Sequence, residues 1–379
     1  MRTRPLRVVF FIQGEGRGHM TQALSLKGLL EDAGHRVVAA FMGEKAHKPI
    51  PEFFLRRFQA PVHTYPAPVF VLDSREKGVR PWSSAASSVR QVPHFWAQLP
   101  KIHQRFSAHA PDLLVNFYDL MGGLYTALFR PDLPRVAAGH QFLFFHPEFP
   151  TPPRERLQVS MIRQYTRITA PHSDLRLALS FTPMRDLPDH RLRVVPPLLR
   201  ERVLDAEPSR GSQILAYVLN PGYGEELERW HEAHPGVEVH CFWDRPHAPA
   251  AYSPREGLTY HRLSDDTFLR LLTSCRAFAS TAGFESVCEA AYLGKPIFLV
   301  PTENHVEQQC NALDAERAGL ATWDRSFDLT HFLQGLEDWS FKSIPSFREW
   351  VGAAPEIYVR LLEGLASGKD PIRIPFPTT

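Results

Sequence analysis

The chain has 379 residues, 44% of them hydrophobic, and a formal net charge of +2. That length gives room for two domains with separate cores. The near balance of charge excludes bulk nucleic-acid binding, and no window approaches the twenty apolar residues of a membrane-spanning helix.

In chain order, Leu6–Gln13 reads as a buried strand of the parallel type. Its early break at Gly14-Glu15-Gly16-Arg17 makes the N-terminus too short for a signal peptide. A helix is expected from Thr21 to Leu30, closed by Ala33-Gly34-His35, and a second strand over Arg36–Met42. A βαβ unit with a glycine-rich first turn is how doubly wound α/β domains begin. Further strands are expected at Val62–Tyr65, Asp112–Phe117, Arg135–Ala138, Leu177–Ser180 and Arg193–Val195. Arg75–Pro93 carries little pattern and reads as a mobile loop over a cleft. A second start of the same kind appears at Ser212–Leu219, with the turn Asn220–Gly224, a helix from Glu225 and a strand over Val237–Trp243. The expected division is therefore 1–200, 201–344 and a helical tail, 345–379, returning to the first domain. The 34 dispersed prolines suggest many short loops. Cys241, Cys275, Cys288 and Cys310 lack C-x-x-C spacing and read as reduced core residues of a cytoplasmic protein.

The most informative stretch is Phe278–Gly319. Ala277–Ser280 is a short strand, Thr281-Ala282-Gly283 a turn, and Phe284–Leu293 a helix stopped by Gly294. A buried strand over Ile297–Val300 ends at Pro301, and a further helix runs from about Val306 to Ala318. A turn ending in Gly283 lets a bulky anion approach the backbone, where the next helix's free N–H groups favour negative charge. Glu289 lies five residues into that helix, roughly 7–8 Å along its axis. A carboxylate there suits a ribose diol while a diphosphate sits at the helix mouth. Gln308 and Gln309 open the following helix with amides that both donate and accept. Together these residues read as a nucleotide-sugar site.

This block resembles the donor-binding signature of GT-B glycosyltransferases. It is similar to the family that adds N-acetylglucosamine to the peptidoglycan lipid precursor, and to the UDP-glucuronosyl/UDP-glucosyl group. Gly283, Glu289, Gly294, Pro296, Pro301, Gln308-Gln309 and Asn311-Ala312 carry the match over about forty residues. The resemblance implies two Rossmann-like α/β domains facing across a cleft. It implies a UDP-sugar donor bound by Thr281, Ala282, Gly283, Phe284, Glu289, Glu307, Gln308 and Gln309. Asn220, Gly222 and Gly224 are consistent with a loop approaching the donor phosphates, although a plain turn explains them equally.

Gly14–His19 fails the dinucleotide fingerprint, because its sixth position is His19 and no acid follows at the usual offset. The same turn, with Gly16 and Gly18, resembles the first-domain loop of GT-B enzymes. There His19 would be the general base, an imidazole taking the acceptor hydroxyl proton, and Asp119 would orient it. Asp119 reads equally as a helix N-cap. Position 281, eight before Glu289, is threonine, so the glutamate pair of the common retaining enzymes is missing and an inverting mechanism is expected. Ser264-Asp265-Asp266 is not D-x-D and reads as an N-cap with acids favoured by the helix dipole. No metal and no cofactor beyond the UDP-sugar co-substrate is therefore expected. Basic and aromatic residues interleave over 45–58, a surface helix or a peripheral contact with the inner face of a membrane. The acceptor would be a small molecule, a glycan or a lipid-linked hydroxyl. Two other readings stay open: a UDP-N-acetylglucosamine 2-epimerase and a non-catalytic sugar-nucleotide or glycan-binding protein.

Overall fold

The structure, a computed structural model, describes residues 4–14, 16–44, 50–66, 96–218, 221–245, 248–336 and 345–376. Arg75–Pro93, Asn220, Lys45 and Lys48 lie outside the described residues. Among the described residues the first half holds seven strands: β1 (Arg7–Ile12), β2 (Arg36–Glu44), β3 (Val62–Pro66), β4 (Leu113–Phe117), β5 (Arg135–Gly139), β6 (Leu175–Leu179) and β7 (Leu192–Val195). They form one parallel sheet in the order β3-β2-β1-β4-β5-β6-β7. β1 and β4 are apolar almost throughout because helices cover both faces of the sheet. Those helices are α1 (Gly18–Asp32), α2 (Glu52–Phe58), α3 (96–108), α4 (Leu120–Phe129) and α5 (Arg156–Thr169).

The second half repeats the plan. β8 (Ile214–Val218), β9 (Val239–Trp243), β10 (Ala251–Arg255), β11 (Leu258–Arg262), β12 (Ala277–Ser280), β13 (Ile297–Leu299) and β14 (Thr322–Trp323) order as β10-β11-β9-β8-β12-β13-β14. Among the described residues of this half, only the β10–β11 strand pair is antiparallel. This hairpin does not figure in the sequence reading. Its outer strand, AYSPR, is half-exposed and carries a proline, as an edge strand can. Gly257, at φ +77°, makes its tight turn. The helices are α6 (Glu201–Leu204), α7 (Pro221–Glu232), α8 (Asp265–Ser274), α9 (Phe284–Tyr292), α10 (Val306–Arg317), α11 (Thr330–Gly335), α12 (Pro345–Gly352) and α13 (Ala354–Ala366).

In each sheet the strand order reverses at one place, between β1 and β4 and between β8 and β12. Ligands of open α/β sheets bind beyond the strand ends at such a reversal. The segments after β1 and β4 carry His19 and Asp119, and the segment after β12 carries Thr281–Phe284. Topology thus places the candidate residues where each sheet has a crevice.

The chain end packs on the first sheet. The Tyr358 hydroxyl donates to Pro196 O at 2.8 Å, the Trp350 indole to Ser180 O at 3.0 Å, and Arg193 Nη1 to the carbonyls of Pro371 and Ile374. One buried apolar cluster runs through both halves, with β1 and β4 at one end and Phe284, Val287 and Leu299 at the other. No described helix is long and apolar enough to cross a membrane.

Candidate active site

The turn after β1 is shaped by two glycines. A Cβ on Gly14 would lie 1.7 Å from Gly43 O, so only glycine lets the chain cross the end of β2. Gly16, at φ +84°, then swings the backbone into α1. The helix starts at Gly18, three residues earlier than the sequence reading has it, with no side-chain cap on its first turn. His19 is therefore helical, 8% exposed, and shares a face with Gln22 one turn on. Its Nδ1 lies 3.2 Å from Gln22 Oε1, its ring stacks on Tyr118 at 5.8 Å, and no described residue bonds its Nε2. Burial pushes the imidazole down to about 4, the Gln22 bond opposing, so the ring is neutral at pH 7.

Asp119 is the N-cap of α4. Its Oδ1 accepts from Gly122 N at 2.7 Å and from the Tyr65 hydroxyl at 2.5 Å. Burial pushes this carboxyl up to about 7, and the Tyr65 and backbone donors hold it back. No described contact joins it to His19. The carboxyl group is turned to its own helix, and the side chain that meets the His19 ring nitrogen is Gln22, which the sequence reading missed. The signal was available once the helix begins at Gly18, because Gln22 follows His19 by three residues.

In the second half, Ala282 takes the left-handed turn at φ +57°, while Gly283 sits at φ −73° as the N-cap of α9. A Cβ on Gly283 would meet only Ser286 Oγ, at 3.6 Å. Neither backbone nor packing requires glycine there. Its missing side chain leaves the first-turn N–H groups of α9 uncapped and open to an anion. Thr281 is buried beneath this turn. Phe284 turns the other way, stacking on His140 at 3.9 Å and lying 4.8 Å from Phe181 in the first half.

At α10, His305 caps the helix by accepting from Gln308 N at 3.3 Å, and Gln308 Oε1 accepts from Thr302 N at 2.8 Å. Gln309 is half-buried. Glu307 accepts from Gln141 Nε2 at 3.0 Å, and burial pushes its carboxyl up to about 7. Asn311 donates to Ala282 O at 3.0 Å and meets His140 Nε2 at 2.9 Å. Gly222 and Gly224 belong to the first turn of α7 rather than to a loop before it. Gly224 packs there, since a Cβ would lie 3.2 Å from the Trp243 ring.

Glu289 is 3% exposed and accepts from Arg200 Nε and Nη2 at 2.5 Å each. Arg200 Nη1 also bonds Asp265. The sequence reading offers Glu289 to a ribose diol; in the structure Arg200 already holds one lone pair on each of its oxygens. The other lone pair on each oxygen remains able to accept. Ser264 caps α8 as expected, while Asp265 and Asp266 pair with Arg200, Arg57 and Arg202. One turn before Glu289, Glu285 Oε1 accepts from Gln22 Nε2 at 2.5 Å, and its Oε2 is buried without a partner among the described residues. Burial pushes this carboxyl up to about 8. Among the described residues no three His, Cys, Asp or Glu side chains gather as a metal site, and the four cysteines are buried thiols. In α2, Phe54 and Phe58 are core residues, and Arg57 pairs with Asp265. That leaves Leu55 as the exposed large apolar side chain of this helix.

The two halves thus bring an imidazole nitrogen with no partner among the described residues, and an uncapped helix mouth, to one junction. No curated protein sequence matches the chain. Among solved structures, it is similar to the glycotransferase of kitacinnamycin, with 15% identity and TM-score 0.63 over 93% of this chain and 96% of that one. It is similar to the spinosyn rhamnosyltransferase SpnG complexed with thymidine diphosphate, with 17% identity and TM-score 0.62 over 94% and 100%. UGT89C1 of Arabidopsis thaliana, complexed with UDP-L-rhamnose, gives 15% identity and TM-score 0.62 over 96% and 100%. These likenesses establish the GT-B fold of two Rossmann-like domains. The family described as glycosyl transferase family 1 matches residues 6–337, and this chain, a sugar-transferring enzyme, belongs to that family.

Proposed function

We propose that the protein transfers a sugar, with inversion, from a pyrimidine nucleoside diphosphate sugar to a hydroxyl acceptor, with His19 as general base. The observation that carries this reading is the approach of α1 to α9. A Cβ on Gly18 would lie 3.1 Å from Glu285 Cγ, so His19 stands one residue from the helix mouth suited to the diphosphate. Its neutral ring and free Nε2 suit a base that takes the acceptor proton as the hydroxyl attacks the anomeric carbon. The nucleoside diphosphate leaves with its charge stabilised by the N–H groups of α9, without a metal ion. Glu289 would hold the ribose, and Glu307, Gln308 and Gln309 the sugar hydroxyls. The choice between UDP and dTDP donors rests on the nucleotides in the two neighbour complexes. A small-molecule acceptor is favoured over a lipid-linked one, because the aromatic residues of α2 are taken up by the core.

Transfer is measured as release of UDP or dTDP from a panel of their sugars offered with alcohols and phenols. His19→Ala lowers turnover by about 10²–10⁴ and leaves nucleotide affinity near the parent's. The base works only above its own pKa, so the parent's acidic limb falls near pH 4 rather than near 6.5, and the variant lacks it. Near-parent turnover with an unchanged limb places the base elsewhere.

Transfer persists in EDTA. Complete loss on chelation, restored by magnesium or manganese, contradicts stabilisation of the leaving group by helix N–H groups alone.

Glu289→Ala leaves two buried Arg200 donors unpaired while Asp265 still holds the charge, and destabilises the fold by about 1–3 kcal/mol in denaturant titrations. Glu289→Gln keeps the shape and weakens UDP or dTDP binding by roughly 1.5–3 kcal/mol, the scale for hydrogen bonds to a charged group. Parent-like unfolding of the first variant denies the buried pair; parent-like affinity in the second denies the ribose contact.

A further inference from the structure

The imidazole of His19 is useful as a base only if its proton sits on Nδ1 and its Nε2 lone pair is bare. Three side chains in series produce that state. Gln22 Oε1 lies 3.2 Å from His19 Nδ1, and Gln22 Nε2 lies 2.5 Å from Glu285 Oε1. Gln22 turns its NH₂ toward Glu285 and its carbonyl toward His19, and Glu285 Oε1 accepts that bond both when ionised and, below about pH 8, with the carboxyl proton on Oε2. A carbonyl also only accepts, so the imidazole proton must sit on Nδ1.

The series crosses from one domain to the other. His19 and Gln22 stand on α1, Glu285 on the first turn of α9. Gly18 permits the approach by presenting no Cβ to Glu285. Glu285 has no other described hydrogen-bond partner, and its Oε2 is buried with none. The nearby cation, Arg200, is committed to Glu289 and Asp265. A carboxyl group buried at such cost, with one bond, calls for a reason beyond packing.

We propose that Glu285 is a positioning residue for the reaction: acting through Gln22, it fixes the tautomer of His19 and leaves Nε2 free for the acceptor hydroxyl. The proposal rests on the base reading for its use in the reaction, but the tautomer is observable without any reaction. The donor-binding domain thereby sets the state of a residue on the other domain, and the base is prepared only where α1 and α9 meet.

The test is the imidazole ¹⁵N spectrum of the full chain labelled at histidine. The His19 signals are assigned by their loss in His19→Gln. Burial pushes Glu285 up to about 8, so spectra are taken at about pH 9, where the carboxylate only accepts. The parent shows His19 protonated at Nδ1. Glu285→Leu frees the Gln22 amide to turn, and a major share of His19 moves to the Nε2–H form. The swap Gln22→Glu with Glu285→Gln keeps both volumes and again presents an acceptor to Nδ1, so it restores the parent tautomer. An unshifted tautomer in Glu285→Leu overturns the proposal. A shift that the swap does not reverse also overturns it, since the cause is then packing. If the tautomer behaves as stated while His19→Ala keeps near-parent turnover, the base reading fails and the positioning series stands.

Discussion

The pairing of Arg200 with Glu289 and Asp265 fixes how the two halves of this chain are joined. Arg200 lies between β7 and α6, and its guanidinium bonds α9 through Glu289 and α8 through Asp265. A buried ion pair stabilises little against an apolar equivalent, but removing one partner strands a charge. It therefore acts as a constraint on orientation. With α9 held by its middle, its uncapped first turn points at the crevice of the first sheet.

Around that constraint, polar side chains of α9 and α10 already have partners from the other half. Glu307 bonds Gln141, Asn311 bonds His140, and Glu285 bonds Gln22. Such bonds contribute about 1 kcal/mol each net, so a ligand that offers equivalent partners exchanges them at small cost. The stacking of Phe284 on His140 and Phe181 is of a different kind, because it buries aromatic surface.

The block from β12 to α10 was legible in the sequence because local signals bound every element. Gly294, at φ +69°, ends α9 just as its position before Lys-Pro suggests, and the strands between are short buried runs. Elsewhere the local signal misled or was absent. The glycines after β8 look like a turn, yet α7 takes in Gly222 and Gly224, the latter because its bare Cα lets the Trp243 ring approach. Inside the β12–α10 block too, the turn before α9 puts its left-handed residue at Ala282 and not at the neighbouring Gly283. Arg200, Gln22 and Glu285 were not read as site residues, because their roles arise from contacts between segments 89 and 263 positions apart. Charge and spacing along one segment do not reveal such partners.

The account's central claim is that the crevices of the two sheets form one site, with the sugar of the donor between α9 and His19. The most direct measurement is a crystal structure of the protein with UDP or dTDP carrying a non-transferable sugar. The account predicts the diphosphate on the first-turn N–H groups of α9 and the anomeric carbon facing the His19 Nε2 side of the junction. A nucleotide bound elsewhere, or one whose anomeric carbon faces away from His19, would contradict it.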